Sequence, residues 1–280
     1  MKNRSAVLIG PFGRATANYG TRTVVTHAHA EVNLLLKLSG ADLHFHVGDD
    51  DAPLSDAQML VIRPWEAHRS VRHSDEPTLI LSLLIEPAWL SQQMAPGRAG
   101  ERTRPAHRSV AVTPAIAERA RRLVQHITEP EARASGDFER LLPEFIDAIE
   151  RAGTDAAAAR PPGVRSVDVR IRRALRLLDE RAADNPKLQH IAAEVGLSRS
   201  HFFAQFKSVV GVSPQHYLDW ARMRLAVGML AGSDKPVCDV AAELGYIEPS
   251  HFGRFFAQHV AIPPSEFRRS IVDSGRAGRR

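Results

Sequence analysis

The chain has 280 residues, 44% hydrophobic and 25% charged, the composition of a folded soluble protein and not of a disordered or fibrous one. Its formal net charge of +5 is unevenly placed: from Pro161 onward there are 18 Lys and Arg against 12 Asp and Glu, so the basic excess lies in the C-terminal part and points to a polyanionic partner there. The single cysteine, Cys238, excludes an intramolecular disulfide and suits a reducing cytoplasm; no apolar run reaches the ~18 residues of a membrane span, and the apolar run in the opening MKNRSAVLIGPFGR is too short for a signal peptide.

From about Thr21 to Trp89 the sequence reads as short strands. TRTVVTHAHAEVNLLLKLSG is rich in β-branched residues, alternates, and ends on Gly40; ADLHFHVGDDD alternates and stops at a Gly-Asp turn. MLVIRPW and TLILSLLIEP are short apolar runs closed by proline. Strands this short and closely spaced predict an antiparallel sandwich or barrel. Within them, THAHAE is expected to put His27, His29 and Glu31 on one face of a strand, and HFH to do the same for His44 and His46; His68 follows in RPWEAH.

The period changes to helical between Thr113 and Arg151. Thr113 is a good N-cap with Pro114 in the first turn, and Ile116, Ala120, Leu123 and Ile127 share a face. Phe138, Leu141, Leu142, Phe145 and Ile149 form a second apolar face, with Pro143 expected to break or kink that helix near its start. These faces serve either dimerisation or packing against the barrel. RAGTDAAAARPPGVR reads as a linker. The resulting division is 1–104 for a sensor domain, 105–160 for a helical dimerisation or linker segment, and 161–280 for a reader domain.

Beyond the linker everything reads as helix, beginning with VRIRRALRLLDERAA, whose Ile171, Leu175 and Leu178 face inward. IAAEVGLSRSHFFAQF, from Ile191, is then repeated with one residue inserted as VAAELGYIEPSHFGRFF, from Val240. In each copy a short helix ends at a glycine (Gly196, Gly245) that can take the positive φ of a tight turn, and a second helix follows. Ser198 caps that helix in the first copy; Glu248 and Pro249 take the corresponding place in the second. Phe202, Phe206, Phe252 and Phe256 are core positions. Ser200, Phe203, Ala204 and Lys207 fall on the outer face of one helix, and Ser250, His251, Gly253 and Arg254 on that of the other. This is the anatomy of two helix-turn-helix motifs, at about 188–209 and 237–260, whose second helices fit a DNA major groove. Arg254 can make a bidentate contact to guanine. PQHYLDWARMRLAVGMLAG joins them as a rod of roughly 27 Å.

Both motifs, the joining helix and the closing VGVSPQHYL and VAIPPSEFR segments resemble the DNA-binding domain of the AraC/XylS family of bacterial transcription regulators. The resemblance implies that Ser200, Phe203 and Ala204, and Ser250, Gly253 and Arg254, occupy base-facing positions. Two departures stand out. Phe203 and Ala204 replace the polar groups usual there, and Ala261 stands where the first copy keeps Gly211. The N-terminal region resembles the cupin-like sensory domain of many such regulators. In metal-binding cupins a His-x-His pair, a Glu four or five residues on and a distant His hold one divalent metal; His27, His29 and His68 fit, but Asn33 and Leu34 stand where the carboxylate belongs. Three neutral imidazoles suffice for zinc or a related metal. The family commonly keeps the barrel without the metal, so the expectation is a cofactor-free effector pocket lined by His27, His29, Glu31, His44, His46 and His68.

The fold class is therefore two-domain α+β, a cupin-like barrel followed by an all-α double helix-turn-helix domain. The function implied is a cytoplasmic, effector-responsive transcription regulator, usually an activator. Its partners are promoter DNA, a small effector, RNA polymerase and, as an option, a second copy, with no membrane. No phosphate loop, nucleophile elbow or paired-cysteine motif suggests catalysis. Two alternatives stay open: a metal-dependent cupin enzyme with a DNA-binding tail, and a ligand-free DNA-binding protein whose barrel serves only to dimerise.

Overall fold

The computed structural model describes residues 4–93, 109–134, 137–153 and 168–271. The linker from residue 154 and both expected domain boundaries lie outside the described residues. Among the described residues nine strands form two antiparallel sheets. β1 (Arg4–Gly10), β2 (Gly13–Gly20), β3 (Val32–Gly40), β6 (Gln58–Ile62), β8 (Thr78–Ile85) and β9 (Ser109–Ala111) make a six-stranded sheet in the order β1-β2-β8-β3-β6-β9; β4 (Leu43–Val47), β5 (Asp50–Leu54) and β7 (His68–Val71) make a three-stranded sheet in the order β5-β4-β7. Sheet structure thus begins at Arg4, earlier than the pattern from Thr21 suggested. Residues 21–31 precede β3 as an irregular extended segment, so His27 and His29 do not stand on a strand of either sheet; a single antiparallel bridge ties His27 to His68.

Alternation along the large sheet explains both of its faces. Ala15, Ala17, Leu34, Leu36, Leu81, Leu83 and Ile85 point to one side, where they bury against helices. Those helices are α1 (Pro87–Gln93), α2 (Pro114–Thr128) and α4 (Phe138–Ala152); the short α3 (Pro130–Ala134) lies between the last two in the chain. All nine apolar positions read from the sequence of α2 and α4 are buried in this cluster, so their faces cover the chain's own barrel. Thr113 caps α2 by accepting from the Ile116 amide, and α4 continues through Pro143 instead of breaking there. The intervening residues, Arg14, Thr16, Asn18, Asn33, Leu35, Ser82 and Leu84, point to the other side, into the space between the sheets.

The described residues of the C-terminal region form helices joined by turns: α5 (Val169–Glu180), a 3-10 turn (Ala182–Asp184), α6 (Leu188–Glu194), α7 (Arg199–Val210), α8 (Pro214–Gly232), α9 (Val237–Glu243), α10 (Pro249–Val260) and α11 (Pro264–Ser270). α6–α7 and α9–α10 are the two helix-turn-helix units. Each has its own core, one around Phe202 and Phe206, the other around Phe252 and Phe256, and α8 contributes to both. Ala28 and Trp65 join the first core and Val7 the second, so the barrel packs on both halves.

Candidate functional site

Each helix-turn-helix unit turns at a glycine with φ of 73°, Gly196 in one and Gly245 in the other. This left-handed backbone is open to glycine and costs other residues about 1–2 kcal/mol. In the first unit the Ser198 hydroxyl accepts from the His201 amide at 3.3 Å, capping α7. Glu248 holds the same place before α10 but makes no side-chain cap bond; Pro249 presets the first turn instead. The inserted residue is Ile247, which is 96% exposed at the tip of the second turn. Ser200, Ala204 and Lys207 on α7, and Ser250, His251 and Arg254 on α10, are exposed. Phe203 and Gly253 are only half-buried, and Phe203 packs on its own core with the Arg199 guanidinium over its ring. α8 is 19 residues long, about 28 Å at 1.5 Å rise per residue. Buried Arg222 fixes α8 to the second unit: it donates to the Leu244 carbonyl at 2.7 Å and lies over the Tyr246 ring. No periodicity reveals that pairing, because it depends on how α8 and α9 cross.

A cavity of about 470 Å³ opens between the two sheets of the barrel. One wall belongs to the helical region: Trp220, Met223, Arg224 and Val227 of α8, and His259 and Val260 of α10. Sequence reasoning missed all six, together with Arg14 and Glu86, because their approach depends on how the two halves of the chain dock. His27, His29, Glu31 and His68 line the cavity as expected. His44 and His46 do not, which corrects their assignment to the pocket. On β4 the alternation buries Leu43, Phe45 and Val47, leaving the two histidines on the opposite, partly exposed face beside Asp51. Both faces of an HFH triplet look alike in sequence; only the position of the sheet decides which is inside.

The docking surface has named contacts. Trp65 stacks on Tyr217 at 5.2 Å and meets Trp220 edge-on at 5.0 Å. It does so from a φ of 63°, a strained backbone for a bulky residue. Trp220 donates from Nε1 to Glu31 Oε2 at 3.2 Å, the Val25 amide donates to the Gln258 carbonyl at 2.9 Å, and Arg22 pairs with Glu266 at 3.2 Å.

His27, His29 and His68 gather at the mouth of this surface, with one ligand-capable nitrogen of each within 4.8 Å of the others. His29 and His68 are buried and His27 half-buried. Burial pushes the His29 and His68 pKa values down to about 3, and holds His27 well below its ordinary value, with neighbouring rings adding to each effect. All three are neutral imidazoles at physiological pH, the form that binds metal. His29 Nε2 and His68 Nε2 are buried with no hydrogen-bond partner, so the donor set fits a divalent metal ion. Glu31 Oε2 accepts from Trp220 Nε1 and lies 3.7 Å from His29 Nδ1, so the carboxylate sits beside the ring nitrogen that faces the Glu31 carbonyl.

Comparison with known proteins agrees with the helical half. Residues 191–270 match the family model described as a helix-turn-helix domain. The chain is 33% identical over 81 residues to the lactose operon transcription activator of Staphylococcus xylosus, covering 29% of each protein. It is 30% identical over 107 residues to the regulatory protein PocR of Salmonella typhimurium, covering 38% of this chain and 35% of that one. The chain thus spans about a third of the length of these curated relatives. Over nearly its whole length the fold resembles ToxT of Vibrio cholerae, with a TM-score of 0.54 at 10% identity, covering 96% of this chain and 97% of ToxT. Another similar structure, at a TM-score of 0.52, is of ToxT bound to an unsaturated fatty acid; the chain covers 94% of it, with 95% of its own length and 11% identity. The C-terminal region of this chain is a helix-turn-helix domain of the AraC/XylS type.

Proposed function

We propose that this chain is an effector-responsive, sequence-specific DNA-binding transcription regulator, with activation as its output. One observation carries the reading: two helix-turn-helix units, each presenting an exposed polar face on its second helix, are held by one continuous helix, α8. Adjacent major grooves on one side of DNA lie about 34 Å apart, a spacing of the same order as that helix. Lys207 and the other exposed basic groups supply phosphate contacts, and Arg254 supplies direct base readout. The cavity between the sheets supports the effector half of the reading, because a ligand there touches barrel and reader together. A ligand that binds one arrangement of the two better than another shifts their equilibrium.

RNA polymerase is the partner that an activator of this type must reach, and the compartment is the cytoplasm. Among the described residues no helix is long and apolar enough to cross a membrane. Homodimerisation would use surfaces other than the buried faces of α2 and α4. The relatives that match the helical half are regulators, and no catalysis is proposed.

Genome-wide footprinting of the full chain on DNA from its source organism tests the proposal. Discrete sites with two contacts about one helical turn apart are expected. Uniform, salt-labile coverage with no discrete site would contradict it.

A further inference from the structure

The three histidines are arranged as metal ligands, down to the proton on each ring. His27 Nδ1 lies 2.8 Å from the Val25 carbonyl, His29 Nδ1 3.0 Å from the Glu31 carbonyl, and His68 Nδ1 2.8 Å from the Glu66 carbonyl. A carbonyl only accepts, so each neutral ring carries its proton on Nδ1 and presents a bare lone pair at Nε2. No ring of the trio can then satisfy another through that atom. Two of these lone pairs, on His29 and His68, are buried without a protein donor, and both residues line the cavity. Backbone carbonyls that hold Nδ1–H and aim Nε2 are the usual outer partners of metal-bound histidine. The segment carrying His27 and His29 is held in register by the paired His27–His68 backbone bonds, 3.0 and 2.8 Å, and by the Trp65 amide on the His29 carbonyl at 2.8 Å.

We infer that His27, His29 and His68 bind one divalent transition metal ion of the zinc class through Nε2, and that this ion couples the barrel to the second helix-turn-helix unit. The second half of the inference rests on the regulator reading above and narrows its effector to a metal. Imidazole donors suit zinc, nickel and copper in preference to magnesium or calcium. Among the described residues the set holds three histidines and no carboxylate, Glu31 lying on the Nδ1 side of His29 and accepting from Trp220, so a fourth ligand would come from the cavity. His259 of α10 lines that cavity, its ring 5.8 Å from that of His27 and its Nδ1 on the Phe255 carbonyl at 2.8 Å, so its Nε2 also presents a lone pair. Two residues before His27, the Val25 amide grips the Gln258 carbonyl of the same helix. An ion that fixes His27 therefore bears on where α10 sits.

The test uses the full chain, stripped with chelator and then titrated with Zn²⁺, and with Co²⁺ for its absorption spectrum. One ion per chain is expected. Loading should be lost in His27→Gln, His29→Gln and His68→Gln and retained in a His44→Gln/His46→Gln control. Circular dichroism of the metal-free variants separates a lost site from a lost fold, and half-buried His27 is the substitution best tolerated. On a footprinted DNA site the loaded and stripped forms should differ in affinity by at least about fivefold. Substoichiometric metal in the wild type, or loading indifferent to all three substitutions, overturns the site. Stoichiometric loading with equal DNA affinity overturns the coupling. If neither form binds any discrete site, the regulator reading fails, and the loading data still decide the metal site independently.

Discussion

The two helix-turn-helix units share a fold but not a way of being held. The first has strong local closures, a Ser198 cap and a left-handed glycine at Gly211 with φ of 96°, and it also takes the barrel's Ala28 and Trp65 into its core. The second lacks a cap bond at Glu248 and closes through Ala261, a non-glycine residue at φ of 60°. It compensates through the rest of the chain: Val7 in its core, Arg222 on its turn, and His259 beside the histidine trio. The cavity wall includes α8, which both units share, and α10 of the second unit.

The shared part of the comparison carries the largest effects. Phe202 and Phe252 are fully buried at equivalent positions, so alanine at either should cost about 3–5 kcal/mol in denaturant unfolding. Unequal losses would mean that the two cores are not equivalent.

The histidine trio beside the second unit gives a pH dependence. In the metal-free protein the folded pKa values of His29 and His68, about 3, lie below the unfolded value of about 6.5. Between these limits only the unfolded chain takes up the protons. Stability is therefore retained above about pH 6.5 and falls as the pH drops, by up to about 1.4 kcal/mol per unit for each ring. Thermal unfolding across that range should show the slope, and His68→Gln should reduce it.

Exchanging the closing residues sharpens the contrast. Gly211→Ala should destabilise by about 1–2 kcal/mol, whereas Ala261→Gly should stabilise by up to about 1 kcal/mol, both read from thermal midpoints. The caps give the smallest difference. Ser198→Ala should cost about 1 kcal/mol and Glu248→Ala only a few tenths.

Much of the reader was legible in the sequence because its signals are local. Helical spacing of Phe202 with Phe206 and Phe252 with Phe256, a glycine at each turn, and proline or serine at helix starts all act within a few residues. The barrel was legible as short strands, but β1 and β2 escaped, β2 because GRATANYG forms its apolar face from alanines. The cavity was half legible. His27, His29 and His68 were singled out by residue type, although the strand invoked to bring them together is an irregular segment fixed by the His27–His68 bridge. His44 and His46 failed because alternation gives two faces without saying which is interior. Arg14, Trp220 and His259 carry no local sign of their role, since 245 positions separate the first from the last and only docking brings them to one wall.

The most direct measurement is the affinity of the wild type, Arg254→Ala and Lys207→Ala for one footprinted site across a salt series. If the exposed faces of α7 and α10 read two successive grooves, Arg254→Ala should lose about 1–3 kcal/mol on the intact site and relax preference at one base position. Lys207→Ala should weaken binding evenly across sequences and lower the salt slope by about one. Affinity and base preference unchanged in both variants would contradict the assignment of these helices as the DNA-reading surface.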